Sequence, residues 1–351
     1  MQMTSSQQRL SPMAPEASVG YGWIAPLANI ALERGIDVSH ILYCLGIEPH
    51  QLRHTAARLT PRQAREFWRL SVAHLGDKLV GLQVGEHMDL KLFPGIGTAV
   101  AHASDLGHAI ELMSELASCI STDLEIVSEL QYGRWLVRIR STAQPTALCY
   151  ERFAMIACIM KLARTQTVFP VVPREVHFRG TLHSDPVAIS ERLRVPLLTD
   201  KDDDVLVFDQ ADQYVSFKHA NQETSVFGEC VARYFLSRLP LPATFCEQVR
   251  QKINLVMERT DAKLSVVAQE SGISLRTLQR RLDMESCSYA SLLEEVKRHF
   301  LTQLLLKTDA PISRISNLLH FSEPSSLTRA CVRWFGVSPM NYRKQLRREA
   351  A

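Results

Sequence analysis

The chain has 351 residues, of which 46% are hydrophobic and 22% charged, with a net charge of +3. This composition excludes a disordered chain and a membrane-embedded one, and the length exceeds what one core usually fills, so two domains are the simplest count. The charge is uneven: residues 241–351 hold 17 Lys and Arg against 11 Asp and Glu, whereas residues 1–240 hold 23 against 26, which gives a polyanionic partner to the C-terminal third alone.

Residues 1–18 (MQMTSSQQRLSPMAPEAS) are small and polar, lack the apolar stretch of a signal peptide and read as a disordered tail. No apolar run reaches the length of a membrane span, so a cytoplasmic protein with no membrane partner is expected. The eight cysteines are scattered without a C-x-x-C pair, which points to small buried apolar residues rather than a zinc site, a redox motif or a disulfide framework. His50 and His54 have the spacing of two metal ligands but no third, and read as exposed or capping residues. No metal or cofactor is expected.

Residues 21–75 read as helices broken by Gly, Pro and Asp, ending in PRQAREFWRLSVAHLG. TDLEIVSEL followed by YGRWLVRIRS predicts a hairpin turned at Gly133, with Trp135, Val137 and Ile139 on one face. Tyr150–Phe169 predicts a largely apolar helix, either a core element or a subunit contact, and residues 174–180 and 205–210 predict short strands. The run DKDDD (200–204) reads as a solvated loop. An α+β region thus covers residues 19–222, and a linker over 223–243 contains the helix-stopping Leu239-Pro240-Leu241-Pro242.

From 244 to 351 the pattern is all-α, in seven segments. LSVVAQESGISLRTLQRRL (264–282) recurs as ISRISNLLHFSEPSSLTRAC (312–331): Leu264, Val267, Ala268 and Ile273 align with Ile312, Ile315, Ser316 and Phe321 at an offset of 48. Each copy is a helix–turn–helix, with Gly272 at the first turn and Ser274 and Ser322 placed to cap the second helices. Leu275, Leu278 and Leu282 should pack inward, leaving Arg276, Thr277, Gln279 and Arg280 outward, where Arg suits guanine and Gln adenine in a major groove. Arg281 lies further round and is assigned to phosphate or a neighbouring helix. Ser325, Ser326, Thr328 and Arg329 take the matching face of the second copy. A long helix over Tyr289–Thr308 separates the copies by roughly 30 Å at 1.5 Å per residue, close to one turn of B-DNA.

With these residues in view, the chain resembles the AraC/XylS family of bacterial transcriptional regulators over about residues 245–347, most specifically in ISRISNLLHFSEPSSLTRACVRWFGVSPMNYR. It departs from the family where Ser316 and His320 replace Ala and Gly, Leu327 and Cys331 replace Phe, Ser286 replaces Gly and Lys297 replaces Arg; His320 must take a turn geometry that Gly adopts freely. Base-contacting positions carry over to Arg276, Gln279 and Arg280, and to Pro324, Ser325, Ser326 and Arg329, where Pro324 makes the second reader weaker in direct readout. Residues 19–222 resemble an arabinose-binding-type sensor domain through GDKLVGLQVGE (76–86), FPGIGTAVAHASDLGHAIELM (93–113) and VPREVHFRG (172–180). The resemblance implies effector sensing and dimerisation in that domain, DNA binding in 244–351, activation as the commoner role, and double-stranded DNA, a small-molecule effector, RNA polymerase and a second copy of the chain as partners. Arg343 and Lys344 in the last helix are phosphate candidates, and Trp68, Trp135 and Trp23 are candidates to line an effector pocket. A constitutive dimeric regulator without an effector is the alternative. A metabolic enzyme with a regulatory helical domain is the distant one, since the chain holds no G-x-S-x-G, H-E-x-x-H, G-x-G-x-x-G or Walker loop.

Overall fold

The computed structural model describes residues 17–48, 57–141, 149–180, 185–239 and 244–349. His50, His54, the Pro240–Pro242 stop and all but the end of the expected tail lie outside the described residues.

A short antiparallel ribbon joins β1 (Val19–Gly20) to β2 (Arg58–Leu59), with helices α1 (Ala25–Glu33) and α2 (Ser39–Cys44) between them in sequence. Helix α3 (Pro61–Leu75) starts in a capping box: the Gln63 N–H donates to Thr60 Oγ1 at 3.2 Å and the Thr60 N–H to Gln63 Oε1 at 3.0 Å. Gly76 ends it at φ +64°. Then follow α4 (Val80–His87), α5 (Ile96–Ala101) and α6 (Leu106–Glu115).

The predicted hairpin is present as β3 (Leu124–Gln131) and β4 (Arg134–Ser141), turning on Tyr132 and Gly133. Both turn residues have positive φ, +49° and +74°, the pair of values a right-twisted two-residue hairpin needs. The apolar helix is α7 (Cys149–Thr165), buried on every side within one chain and therefore a core element. Its closest neighbour is α4, where a Cβ on Gly81 or Gly85 would overlap the backbone carbonyl of Tyr150 or Ala154; this close approach explains the glycines of GDKLVGLQVGE.

Strands β5 (Glu175–Arg179), β6 (Leu197–Lys201) and β7 (Asp204–Asp209) complete a five-stranded sheet in the order β3-β4-β7-β5-β6. Strand β6 has no counterpart among the strands the sequence predicts: it runs parallel to β5 after a crossover through α8 (Pro186–Leu193). The acid run expected as a solvated loop is so only in part: Asp200, Lys201 and Asp202 are exposed, but the last two acids are engaged. Asp203 accepts from Arg140 at 2.8 Å, and the buried Asp204 holds Arg152 through both carboxylate oxygens.

The segment expected as a linker is mostly helix α9 (Gln222–Leu236), which has two buried faces. Phe227, Cys230, Val231 and Tyr234 belong to the core of the C-terminal helices, whereas Ala232 and Phe235 belong to the core of the preceding domain. On that second side Gly228 meets α5, where Ser225 Oγ donates to the Ala99 carbonyl at 2.8 Å. Extended spacing gives way to a shared helix because both stripes of α9 are apolar at helical period.

The C-terminal helices are α10 (Phe245–Met257), α11 (Leu264–Glu270), α12 (Leu275–Met284), α13 (Tyr289–Lys307), α14 (Ile312–Leu318), α15 (Pro324–Phe335) and α16 (Pro339–Glu349). The all-α expectation holds over the described residues. Against the expectation for the cysteines, Cys246 and Cys287 form a disulfide between the first turn of α10 and the residues after α12.

Glu258, just past α10, reaches into the other half of the molecule. Its carboxylate accepts from the Gly95 N–H at 3.0 Å and from Thr98 Oγ1 at 2.6 Å, and so caps α5 from the opposite domain. Burial pushes the carboxyl above its ordinary value of 4.5, against the pull of those two hydrogen bonds and of nearby Arg259 and Lys91. A raised folded-state value means that the charge of Glu258 opposes folding, so its contribution is complete below the unfolded value and declines as pH rises through the folded one. Glu258→Ala should lose about 1–2 kcal/mol, as for a lost cap, in urea denaturation. Glu258→Gln should keep the acceptor and gain on wild type as pH is raised from about 4 to 7; a constant wild-type-to-Gln difference over that window would contradict the assignment.

Candidate nucleic-acid interface

The two repeat units fold as the same object. Helices α11 and α14 both span seven residues at an offset of 48, and α12 and α15 follow after turns at Gly272 (φ +66°) and His320 (φ +53°). His320 thus takes the left-handed geometry expected of it. The strain is supported on both sides: His320 Nε2 lies 3.0 Å from the Met257 carbonyl, and Lys297 Nζ donates to the His320 carbonyl at 3.3 Å while its charge sits 4.4 Å from the centre of the Phe321 ring. Ser286, another position where glycine is usual in the resembled family, also has positive φ, +56°. Ser316 is fully buried, and its hydroxyl has no hydrogen-bond partner among the described residues.

Helix α12 begins as expected, with the Thr277 N–H donating to Ser274 Oγ at 3.1 Å. Leu278 and Leu282 are buried, but Leu275 is 46% exposed: as the first helical residue it lies before the turn that packs inward. Arg276, Gln279 and Arg280 are exposed, and their side chains have no hydrogen bond or ion pair among the described residues. Thr277 is half-buried beside Ser274, with the two hydroxyls 2.8 Å apart. Arg281 turns away from this group and lays its guanidinium 3.8 Å over the Phe245 ring of α10, which is the neighbouring-helix option.

In the second unit the cap differs from the expectation. Pro324 occupies the first helical position, where its missing N–H costs nothing, and this makes Glu323 rather than Ser322 the N-cap residue. Ser325 Oγ donates to Glu323 at 3.0 Å, Thr328 Oγ1 to the Pro324 carbonyl at 3.0 Å, and Arg329 to Ser326 Oγ at 3.0 Å. The outward groups here are already engaged locally, in contrast to the free donors of α12.

The basic residues of α16 divide. Arg343 is only 8% exposed and donates to the Ala310 carbonyl at 2.6 Å, so it serves the core rather than a surface, because the turn before α14 leaves that carbonyl without a backbone donor. Arg347 pairs with Asp309 at 2.7 Å, while Lys344 is exposed. Between the units, α13 has 19 residues, roughly 28 Å at 1.5 Å per residue.

Of the tryptophans, Trp68 and Trp135 are buried core residues, the first beside Trp23 and the second 5.3 Å from the Phe208 ring. Neither lines a cleft described below; Trp23 does. No described helix is long and apolar enough to cross a membrane.

The family model for the arabinose-binding N-terminal domain of AraC transcription regulators matches residues 35–213, and a helix-turn-helix domain model matches residues 267–345. The chain is 33% identical over 126 residues to the HTH-type transcriptional regulator VirS of Mycobacterium tuberculosis, a match spanning 36% of each chain. It is 22% identical to the ornithine utilization regulator of Pseudomonas aeruginosa, over 91% of this chain and 94% of that protein. The crystal structure of the transcriptional regulator CdpR from Pseudomonas aeruginosa aligns with 92% of this chain and 98% of its own, at 19% identity and a TM-score of 0.46.

Proposed function

Because the chain belongs to the AraC family of DNA-binding transcription regulators, which are not enzymes, we propose that it reads two successive major grooves on one face of a promoter, one with α12 and one with α15. The observation that carries this reading is the pair of helix–turn–helix units at the two ends of α13, with Arg276, Gln279 and Arg280 of the first free to donate. Helix α12 supplies the base contacts, with Thr277 beside them. Helix α15, through Pro324, Ser325, Ser326, Thr328 and Arg329, contributes more to backbone contact and DNA shape, since its polar groups are shorter and internally bonded. Lys344 is placed for phosphate.

The domain of residues 19–222 binds a small-molecule effector and contributes the contact of a homodimer, and the bound protein activates transcription through RNA polymerase. Of the connecting residues, those of α9 are no free tether, since the helix is built into both cores.

Binding of the full chain to its own promoter, followed by fluorescence anisotropy between 50 and 200 mM salt, should weaken on the order of 10³-fold if about six phosphates are neutralised. Affinity that does not change with salt would rule out this mode of binding.

A further inference from the structure

In the sensor domain, residues distant in sequence close round a cleft of about 130 Å³. Its floor is apolar and made of Trp23, Ile120, Ile139 and Met155, all buried in the fold yet facing the opening. Its rim is charged, and the charges are not equivalent. Every carboxylate there is already engaged: Asp203 holds Arg140 and Asp204 holds Arg152, while Asp123 and Glu151 have interactions of their own. Two of the arginines are not. The guanidinium groups of Arg65, on α3, and Arg179, at the end of β5, make no hydrogen bond or ion pair among the described residues, although the charge of Arg179 also acts on Asp203 from a distance.

An apolar floor beneath unspent guanidinium donors fits a ligand of one kind. We propose that this cleft takes a small organic acid, its carboxylate held by Arg65 and Arg179 and its hydrocarbon body lying on Trp23, Ile120, Ile139 and Met155. A carboxylate would complete the fork of a guanidinium with paired N–H donors, while desolvation of the hydrocarbon drives entry. A cationic ligand would meet two arginines with no free carboxylate to receive it. The proposal rests on the effector-responsive reading and names the chemistry of that effector.

Calorimetric titration of the full-length protein with octanoate, 1-octanol and octylamine separates the classes, since the three share a chain and differ in head group. Octanoate should bind, octylamine at least tenfold more weakly, and Arg65→Gln should weaken octanoate about tenfold or more while leaving 1-octanol as in wild type. The unchanged 1-octanol affinity also shows that the variant is folded. Absence of octanoate binding, octylamine binding as tight as octanoate, or an Arg65→Gln variant with unaltered octanoate affinity would each overturn the proposal. Promoter binding with and without octanoate tests the other reading separately. Octanoate bound in the cleft with the same promoter affinity leaves the acid site standing and removes its effector role, whereas a promoter response to octylamine alone does the reverse.

Discussion

Arg280→Ala and Arg276→Ala should each weaken binding to the specific promoter by about 5- to 150-fold, the equivalent of about 1–3 kcal/mol for one bidentate base contact, with little change on unrelated DNA. Two features of the structure set these residues apart from Arg281 and Arg343. Their side chains are exposed, and among the described residues nothing competes for their donors. Arg281, one residue on, makes the useful contrast, because its guanidinium stacks on Phe245. Removing it should lower stability by about 0.5–1 kcal/mol, the range of an exposed cation–π contact, and leave the preference for the specific site nearly intact. Arg343→Ala should act through folding, since it strands the Ala310 carbonyl inside the core. Competition binding with specific and scrambled duplexes distinguishes the three. If Arg280→Ala weakens both duplexes equally, Arg280 contacts phosphate, and α12 is not the base reader.

The contrast between these arginines also shows what was legible in the sequence. The repeat, the seven C-terminal helices and the hairpin at Gly133 follow from local signals: an apolar period, a cap and a turn residue all act within a few positions of each other. Where such signals must be combined with a partner elsewhere in the chain, the reading fails. Ser322 looks like a cap, yet Pro324 fits only the first helical position, which makes Glu323 the cap residue instead. Arg343 looks like surface charge because its acceptor, Ala310, lies beyond α14 and α15. The disulfide between Cys246 and Cys287 joins segments separated by 41 residues, with nothing in the spacing to announce it. Strand β6 is short, polar at its end and on the sheet edge, so alternation is too weak to mark it. The cleft is hardest of all, since its walls come from residues 19 to 204 and neither Trp68 nor Trp135 is among them. Helix α9 misleads in the opposite direction: apolar residues on two faces obscure the single stripe of an ordinary surface helix, and the flanking prolines suggest a tether.

Gly228→Val should test what α9 does, and its effect on stability should be the larger of any single substitution considered, about 3 kcal/mol or more for overpacking a seam without slack. At Gly228 a Cβ would overlap the Ala99 backbone nitrogen and press on the Gly95 carbonyl, and a Cβ on Gly95 would in turn overlap Gly228. The two helices therefore touch backbone to backbone, and neither can yield by rotating a side chain. Intrinsic propensity works the other way, because valine favours a helix slightly more than glycine does; α9 itself should survive, and the loss should fall on its packing against α5. The opposite face, Phe227, Cys230, Val231 and Tyr234, remains in the C-terminal core. Urea unfolding should accordingly separate into two transitions, an early one for the sensor domain and a later one close to that of wild type. Promoter affinity should stay within a few-fold of wild type, since no residue of α12 or α15 is involved. A variant that unfolds in one step at the wild-type midpoint would show that the seam between α5 and α9 contributes nothing to joining the two halves.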